Sequence, residues 1–386
     1  MFSYPTPFTP PTTEDDRLSW LRLIRSRRVG VATFFRLIEE YGSARAALLA
    51  LPEIAKAAGV QAYEPCPEGV ALAELKAGKA AGAQLLCRGE PAYPQALADL
   101  PDAPPVLWAI GDPALLARPM VALVGARSAS SLGTRMARKL AEGLGAAGIT
   151  VVSGLARGVD AAAHAAALPT GTVAVMAGGV DVIYPAENTG LAQEIAARGL
   201  RLSEQPMGLA PLARHFPLRN RIISGLARAV VVVEAAARSG SLITARTALD
   251  QGRDVLAVPG HPFDGRASGC NMLIRDGATL VRGADDVLAA LALDAPAGNR
   301  AARTAAISTV AAAPPLAAPQ RPDRDWRDMA ALHRQILDRL GPSPVAEDQL
   351  IRDLALPAAA IAAELVTLEL EGRIERQAGG LLTRAD

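Results

Sequence analysis

The sequence predicts an α/β protein with a doubly wound parallel sheet, and three observations predict it. From Met120 onward, short apolar runs alternate with stretches of helical spacing. The runs are continuous rather than alternating, which marks strands buried on both faces. Strand–helix alternation of this kind closes into a parallel sheet with right-handed crossovers, an extended Rossmann-like arrangement.

The elements follow in order. Residues 1–13, rich in Pro and Thr, read as a disordered tail. Residues 14–83 read as a helical unit, because Leu18, Leu21 and Ile24, then Phe34, Leu37 and Ile38, recur at helical spacing. The turns Arg28-Val-Gly-Val and Tyr41-Gly-Ser divide it, a pattern that resembles a helix-hairpin-helix or SAM-like bundle. Its Arg22, Arg25, Arg27 and Arg28 admit two readings, contacts to a DNA backbone or a solvated charged face.

The main domain is placed at 84–292, opening with an irregular, proline-rich bridge over 84–112 that holds one strand, Val106–Ile110. Strands are then expected at Val121–Val124, Ile149–Val152, Val173–Met176, Leu200–Leu202, Val230–Val233 and Val255–Val258, with helices over 131–147, 157–168, 189–198 and 241–251. Residues 293–325, dominated by Ala, Pro and Arg, read as a linker. Residues 326–386 show helices near 329–340, 346–354 and 358–371 and a small hairpin around Gly379-Gly380, the pattern of a winged helix.

Composition bounds the function. A chain of 386 residues, half of them apolar, has ample core for two or three domains. Formal net charge is only +1, so any basic surface must be local. Cys66, Cys87 and Cys270 lie far apart with no CxxC pair, which disfavours a disulfide framework or a zinc site and fits a reducing compartment. The N-terminus lacks a basic and apolar leader pattern, and no apolar window of about 18 residues is free of charges and breakers. A cytoplasmic protein with no membrane contact is expected.

Candidate binding residues gather where strands end. The first strand runs into Gly125-Ala-Arg-Ser-Ala-Ser, a strand–turn–helix start that suits a phosphate. Arg127 stands where a dinucleotide fingerprint has its second glycine, and the second strand ends in Ser153-Gly154 with no acidic residue for a ribose, so NAD is disfavoured. Gly125, Arg127, Ser128 and Ser130 are the candidates here; the blander reading is a turn glycine and a surface arginine. Ser153, Gly154, Arg157 and Gly158 form a second such turn, followed by Asp160 and His164, read as a structural i, i+4 pair. Asp181, Glu187 and Asn188 fit a site or a turn and cap equally well.

The most specific stretch is 214–221, read as a loop. It sets Arg214, His215, Phe216, Arg219, Asn220 and Arg221 together, three guanidiniums in eight residues beside an aromatic ring. Arginine grips phosphate bidentately and an aromatic ring stacks on a base. Ser239, Gly240, Ser241 and Thr244 then open a helix with further anion-accepting N–H groups. No Ser/His/Asp order, HExxH, GxxxxGK[ST] or deaminase signature occurs, so a non-catalytic binder without metal or cofactor is expected.

The chain resembles the DprA/Smf family of DNA-processing proteins. Carrying the likeness are Val121–Gly133, SGLARGVDAAAH from Ser153, GGVDVIYPAEN from Gly178, SEQP from Ser203, FPLRNRIISGLA from Phe216, VVVEAAARSGSLITA from Val231, and Arg253–Gly260 with NMLIRDGA from Asn271. It is strong over about 120–292 and weaker at both ends. The resemblance implies an extended Rossmann domain that binds single-stranded DNA, forms homodimers, displaces single-strand-binding protein and loads the RecA recombinase during natural transformation. Members often carry Ser where Ala126 stands and a lysine or arginine before the Phe-Pro pair; here Arg214-His215 fills that place. The presumed recognition helix, 357–372, has no Lys or Arg and carries Glu364, Glu369 and Glu371, so a protein contact or accessory role is expected for it. The competing reading is a nucleotide-binding enzyme like the Rossmann-like phosphoribohydrolases, whose PGGxGTxxE segment supplies a catalytic Glu. The corresponding Arg238–Ala245 lacks that carboxylate.

Overall fold

The computed structural model describes residues 10–292 and, beyond them, 326–340, 345–346, 350–351, 354, 361, 364–365, 368–369, 373–377 and 381–384. Residues 1–9 and the expected linker 293–325 lie outside the described residues. The chain divides into two compact units, Met1–Ala301 and Ala302–Asp386.

The first unit opens with α1 (Glu14–Arg25), α2 (Val31–Tyr41), α3 (Ala44–Ala57) and α4 (Glu68–Ala80). Thr13 is not tail, as the sequence suggested, but the N-cap of α1. Its Oγ accepts from the Asp16 N–H at 3.1 Å while Asp16 accepts from the Thr13 N–H at 3.1 Å, a reciprocal capping box. The expected apolar stripes are inside: Leu21, Phe34 and Leu37 are fully buried around Trp20.

That helical unit packs on two strands, of which the second was expected at Val106–Ile110 and the first was not. β1 (Gln84–Cys87) pairs antiparallel with β2 (Val106–Gly111), within the stretch read as an irregular bridge. A short α5 (Gln95–Ala98) lies between them. Gly78 of α4 sits against the Trp108 ring of β2, where a Cβ would come within 2.4 Å of it. Trp108 Nε1 donates to Glu74 at 2.7 Å, and Arg25 donates to the same carboxylate at 2.8 Å. Arg22 donates to the Cys66 carbonyl and pairs with Glu68, and Arg27 lies over the Tyr63 ring. Of the four arginines offered for DNA, these three hold the helices together instead.

The main sheet follows: β3 (Met120–Val124), α6 (Ser131–Ala146), β4 (Thr150–Ser153), α7 (Val159–Ala167), β5 (Thr172–Val175), α8 (Thr189–Arg198), β6 (Leu200–Ser203), α9 (His215–Leu226), β7 (Ala229–Val232), α10 (Ser241–Asp250), β8 (Asp254–Ala257), α11 (Ser268–Arg275), β9 (Thr279–Leu280) and α12 (Ala284–Ala292). The six expected strands of this region are all present within one residue of their predicted bounds. Their order is β1-β2-β6-β5-β4-β3-β7-β8-β9, with β6 through β9 all parallel. Val121, Leu123, Val151 and Val231 pack against the α6 side, and Ala122, Val152, Val173 and Val230 against the α9 side, all fully buried. Burial of both faces is the reason for the unbroken apolar runs; each such valine or leucine side chain contributes about 1.5–3 kcal/mol. The winding reverses at β3, which has β4 on one side and β7 on the other. In open α/β sheets that reversal leaves a crevice beyond the strands' carboxyl ends.

The second unit holds a helix, Trp326–Arg339, and a sheet in which Ile374–Gln377 and Val345–Ala346 flank Leu381–Arg384, the hairpin of a winged helix. Ile336, Leu350, Ile361, Leu365 and Leu382 form its core. Glu364, one of the three glutamates of the presumed recognition helix, is buried and pairs with His333 at 2.7 Å. Most of 357–372 lies outside the described residues.

Candidate nucleic-acid interface

A cavity of about 740 Å³ opens at the β3/β7 reversal. The β3 turn supplies Gly125, Arg127 and Ser128; α9 supplies Phe216, Arg219 and Asn220; the β7 turn and α10 supply Arg238, Ser239, Gly240, Ser241 and Thr244; Arg266 reaches in after β8. The turns after β3, β7 and β8 and the helices α9 and α10 therefore converge; of the expected wall Ser153–Gly158, only Ala156 lines the cavity.

Residues 215–226 are helix, not loop, and this changes the meaning of the arginine cluster. At about 100° per residue, Phe216, Arg219, Asn220 and Ile223 share the face toward the cavity. Arg221 points elsewhere: it pairs with Glu204 and donates to the Asp102 carbonyl at 2.5 Å. Burial raises the Glu204 pKa, with the Arg221 charge opposing. His215 is buried, its Nδ1 accepting from the Leu212 N–H at 3.1 Å, so it shapes the entry to α9. Burial, then the Arg214 charge, lowers its pKa. Arg214 is exposed and outside the cavity lining.

Arg219 lies at the cavity floor, only 6% exposed. Its Nη1 donates to the Gly154 carbonyl at 2.6 Å and to the Val175 carbonyl. Gly154 makes the room: a Cβ there would sit 2.3 Å from that Nη1. Burial brings the Arg219 pKa down to about 10, partly offset by the Asp160 charge. Arg219 is thus a strut under the β4 turn, held by carbonyls where a phosphate contact was expected.

The two turns expected to take anions are already filled by the chain's own carboxylates. At the start of α6, the Ser130 N–H donates to Glu234 at 3.0 Å, and its hydroxyl donates to the same group. At the start of α7, Asp160 Oδ2 accepts from the Gly154 N–H at 3.1 Å and the Ala156 N–H at 3.4 Å. Burial raises the Asp160 pKa, with Arg219 and these N–H groups opposing. Asp160 and His164 therefore do not pair with each other; both bind the turn. His164 Nε2 accepts from the Leu155 N–H at 3.3 Å, and Nδ1 lies 2.7 Å from Thr172 Oγ1. The Thr172 hydroxyl donates to the Val151 carbonyl, so Nδ1 carries the imidazole proton and the ring is neutral. Burial takes its pKa down to about 3.

Other expected contacts are also internal. Ser153 is buried and donates to the Leu123 carbonyl at 2.6 Å. Arg157 pairs with Glu187 at 2.8 Å and stays outside the cavity lining. Asp181 accepts from the Gly208 N–H, and Asn188 donates to the Leu155 carbonyl. Gly158, at φ +71°, lets the β3 and β4 turns touch; a Cβ would lie 2.3 Å from the Ala126 carbonyl oxygen.

What remains open is coherent. Arg127 is exposed and lies over the Phe216 ring, 5.3 Å from its centroid. Phe216 also meets Tyr184 at 5.7 Å. Gly240 begins α10, where the Ser241 N–H donates to Ser239 Oγ at 3.4 Å and the Leu242 and Ile243 N–H groups donate to the Ser239 and Gly240 carbonyls, both at 3.1 Å; the Ser239 and Ser241 hydroxyls lie 2.8 Å apart beside it. Arg238 and Arg266 flank this end, Arg266 sharing an exposed ion pair with Asp264. Three exposed guanidiniums, an aromatic face and a positive helix end can hold one phosphate and an adjacent base. Sequence reasoning missed Arg238 and Arg266 as lining residues. Arg238 adjoins a turn already singled out; Arg266 is brought in only because β8 lies beside β7. Among the described residues no His/Cys/Asp/Glu group could hold a metal, and no helix is long and apolar enough to cross a membrane.

Residues 84–292 match the model for DNA recombination-mediator protein A, 14–77 the DprA-like N-terminal HHH domain, and 311–380 the DprA winged helix domain. A DNA processing protein DprA of Streptococcus pneumoniae is 49% identical over 199 residues, covering 51% of this chain and 70% of that one. A protein Smf of Synechocystis is 36% identical over 319 residues, covering 77% and 79%. Among solved structures, the X-ray structure of Streptococcus pneumoniae DprA superposes with a TM-score of 0.56 at 38% identity, covering 68% of this chain and 98% of that one. The Helicobacter pylori protein, described for its single-stranded DNA binding mode, gives 0.51 at 32% identity, covering 55% and 96%.

Proposed function

The chain belongs to the DprA/Smf family of DNA recombination-mediator proteins, and from that premise we propose that it binds single-stranded DNA in the switch-point cavity, without catalysis. One observation carries the reading: Arg127 over the Phe216 ring, lining one cavity with the positive end of α10, Arg238 and Arg266. A phosphate sits against the helix end and guanidiniums while the neighbouring base stacks on the ring. Such contacts read the backbone and a π face, so sequence preference is weak.

The non-catalytic reading has its own support. The single carboxylate among the described lining residues is Asp160, and two backbone N–H groups hold it. Family membership extends the proposal to a homodimer that displaces single-strand-binding protein and delivers RecA to the strand. A cytoplasmic location goes with it, since the three buried, unpaired cysteines suit a reducing compartment.

The deciding experiment is an anisotropy titration of the full chain with oligo(dT) and with duplex DNA across a salt series. Tight, steeply salt-dependent binding to the single strand and weaker binding to the duplex are expected. Equal affinity for both, or release of free base from nucleoside monophosphates, would overturn the proposal. Filament growth of RecA on a strand coated with single-strand-binding protein, with and without this protein, tests the delivery step.

A further inference from the structure

Tyr184 stands in the loop between β5 and α8, and its neighbours in sequence face inward. Pro185 is buried, and Ile183 packs against Leu155, Ala174, Met176 and Ile195. The loop is tied down on both sides of the ring. The Gly208 N–H donates to Asp181 at 2.9 Å, Asn188 donates to the Leu155 carbonyl at 2.9 Å, and Glu187 pairs with Arg157. Between these anchors the Tyr184 ring is held out, 49% exposed. Its centroid lies 5.7 Å from that of Phe216, and the two planes are tilted by 59°. Arg127 lies over the same Phe216 ring, so three side chains from the β3 turn, the β5 loop and α9 make one continuous surface. Phe216 and Arg127 line the cavity and Tyr184 does not, so Tyr184 carries the aromatic surface past the cavity's rim.

We propose that Tyr184 is a second base platform and that, with Phe216, it selects unstacked bases. This inference rests on the proposed strand-binding reading and names the part of that site that tells a single strand from a duplex. Phosphate contacts do not draw the distinction, since both forms present phosphates. The two rings do. Neighbouring bases of a duplex lie parallel and about 3.4 Å apart. Planes 5.7 Å apart and 59° off parallel cannot both be covered by bases that stay stacked on each other. A single strand opens between nucleotides and lays one base on each ring. A duplex must first give up pairing and stacking.

The test is an anisotropy titration of the full chain with oligo(dT) and with duplex DNA, for wild type, Tyr184→Ala, Tyr184→Phe and Tyr184→Leu. Tyr184→Ala is expected to bind oligo(dT) about tenfold more weakly, the loss of one stacked base, and to bind duplex as wild type does. Tyr184→Phe keeps the π face and should bind as wild type. Tyr184→Leu keeps apolar bulk without that face and should bind as weakly as Tyr184→Ala; it also carries the comparison if the Ala variant does not fold. No charge is removed, so the slope of log K against log salt should stay at its wild-type value in all three. A ring that merely props Phe216 predicts the reverse for leucine, whose bulk would restore affinity. Rescue by Tyr184→Leu, wild-type affinity of Tyr184→Ala, or equal losses on both forms of DNA would overturn the inference. Each of these leaves the strand-binding reading standing, whereas a wild type that fails to bind oligo(dT) removes that reading and the inference with it.

Discussion

Two arginines of the cavity look alike in sequence and do opposite things. Arg127 is exposed over Phe216, so Arg127→Ala removes a charge that the proposed strand-binding reading sets against phosphate and disturbs little else. Binding to oligo(dT) is expected to weaken about five- to thirtyfold, roughly 1–2 kcal/mol, equally on mixed sequences. The slope of log K against log salt should shrink by about 0.7, one single-strand phosphate contact. Arg219→Ala acts elsewhere: it strips donors from the Gly154 and Val175 carbonyls beneath the β4 turn. A loss of about 2–4 kcal/mol in denaturant unfolding is expected. Any weakening of DNA binding should then follow the loss of folded protein. An Arg219→Ala variant that melts like wild type yet fails to bind DNA would reverse these assignments.

At the scale of elements, the strands were legible and the service of the turns was not. Val121–Val124 and Val230–Val233 announce themselves because burial on both faces admits nothing but apolar residues. The helix α9 did not, because Phe-Pro at its start and Arg219 and Arg221 along it read as loop chemistry. Only the observed periodicity separates the cavity face from the face that meets Glu204. Gly154 and Arg219 lie far apart in sequence, as do Ser130 and Glu234, so nothing local told that each pair fits together. The β4 turn carries a pH signature of the same internal wiring. His164 is held neutral, accepting from Leu155 N–H, with its pKa brought down to about 3 by burial. Above pH about 6.5 both folded and unfolded states keep the ring neutral and stability is full. As pH falls from there toward 3, only the unfolded state takes the proton, so stability drops by up to about 1.4 kcal/mol per unit. The raised pKa of Asp160 works with the opposite sign, since there the folded state takes the proton first. Comparing wild type with His164→Gln cancels that contribution. Between pH 6 and 5, wild type should lose about 1 kcal/mol more than the variant in urea unfolding. Parallel losses would mean that the imidazole is not buried neutral.

At the scale of the molecule, a net charge of +1 coexists with a proposed DNA site because charge is sorted by place rather than by amount. Arg22, Arg25, Arg27, Arg157 and Arg221 are paired with carboxylates, carbonyls or a ring away from the cavity, while Arg127 over the Phe216 ring, Arg238, and Arg266 in an exposed pair with Asp264 surround one opening. All three lie in the first compact unit, with its own cores on both sides of the sheet. In the second unit Glu364 is turned inward against His333, and the presumed recognition helix, 357–372, has no Lys or Arg to grip a duplex. Single-strand affinity should therefore belong to the first unit. A chain ending at Ala301 is expected to bind oligo(dT) within about twofold of full length, with the same salt slope to within one phosphate contact. Substituting Arg238→Ala in that shortened chain should weaken binding by the same factor as in the full chain, because sites without shared partners add. A tenfold loss on removing 302–386 would place part of the DNA path on the winged helix. A changed slope at unchanged affinity would mean that the second unit exchanges its own charge contacts for those of the cavity.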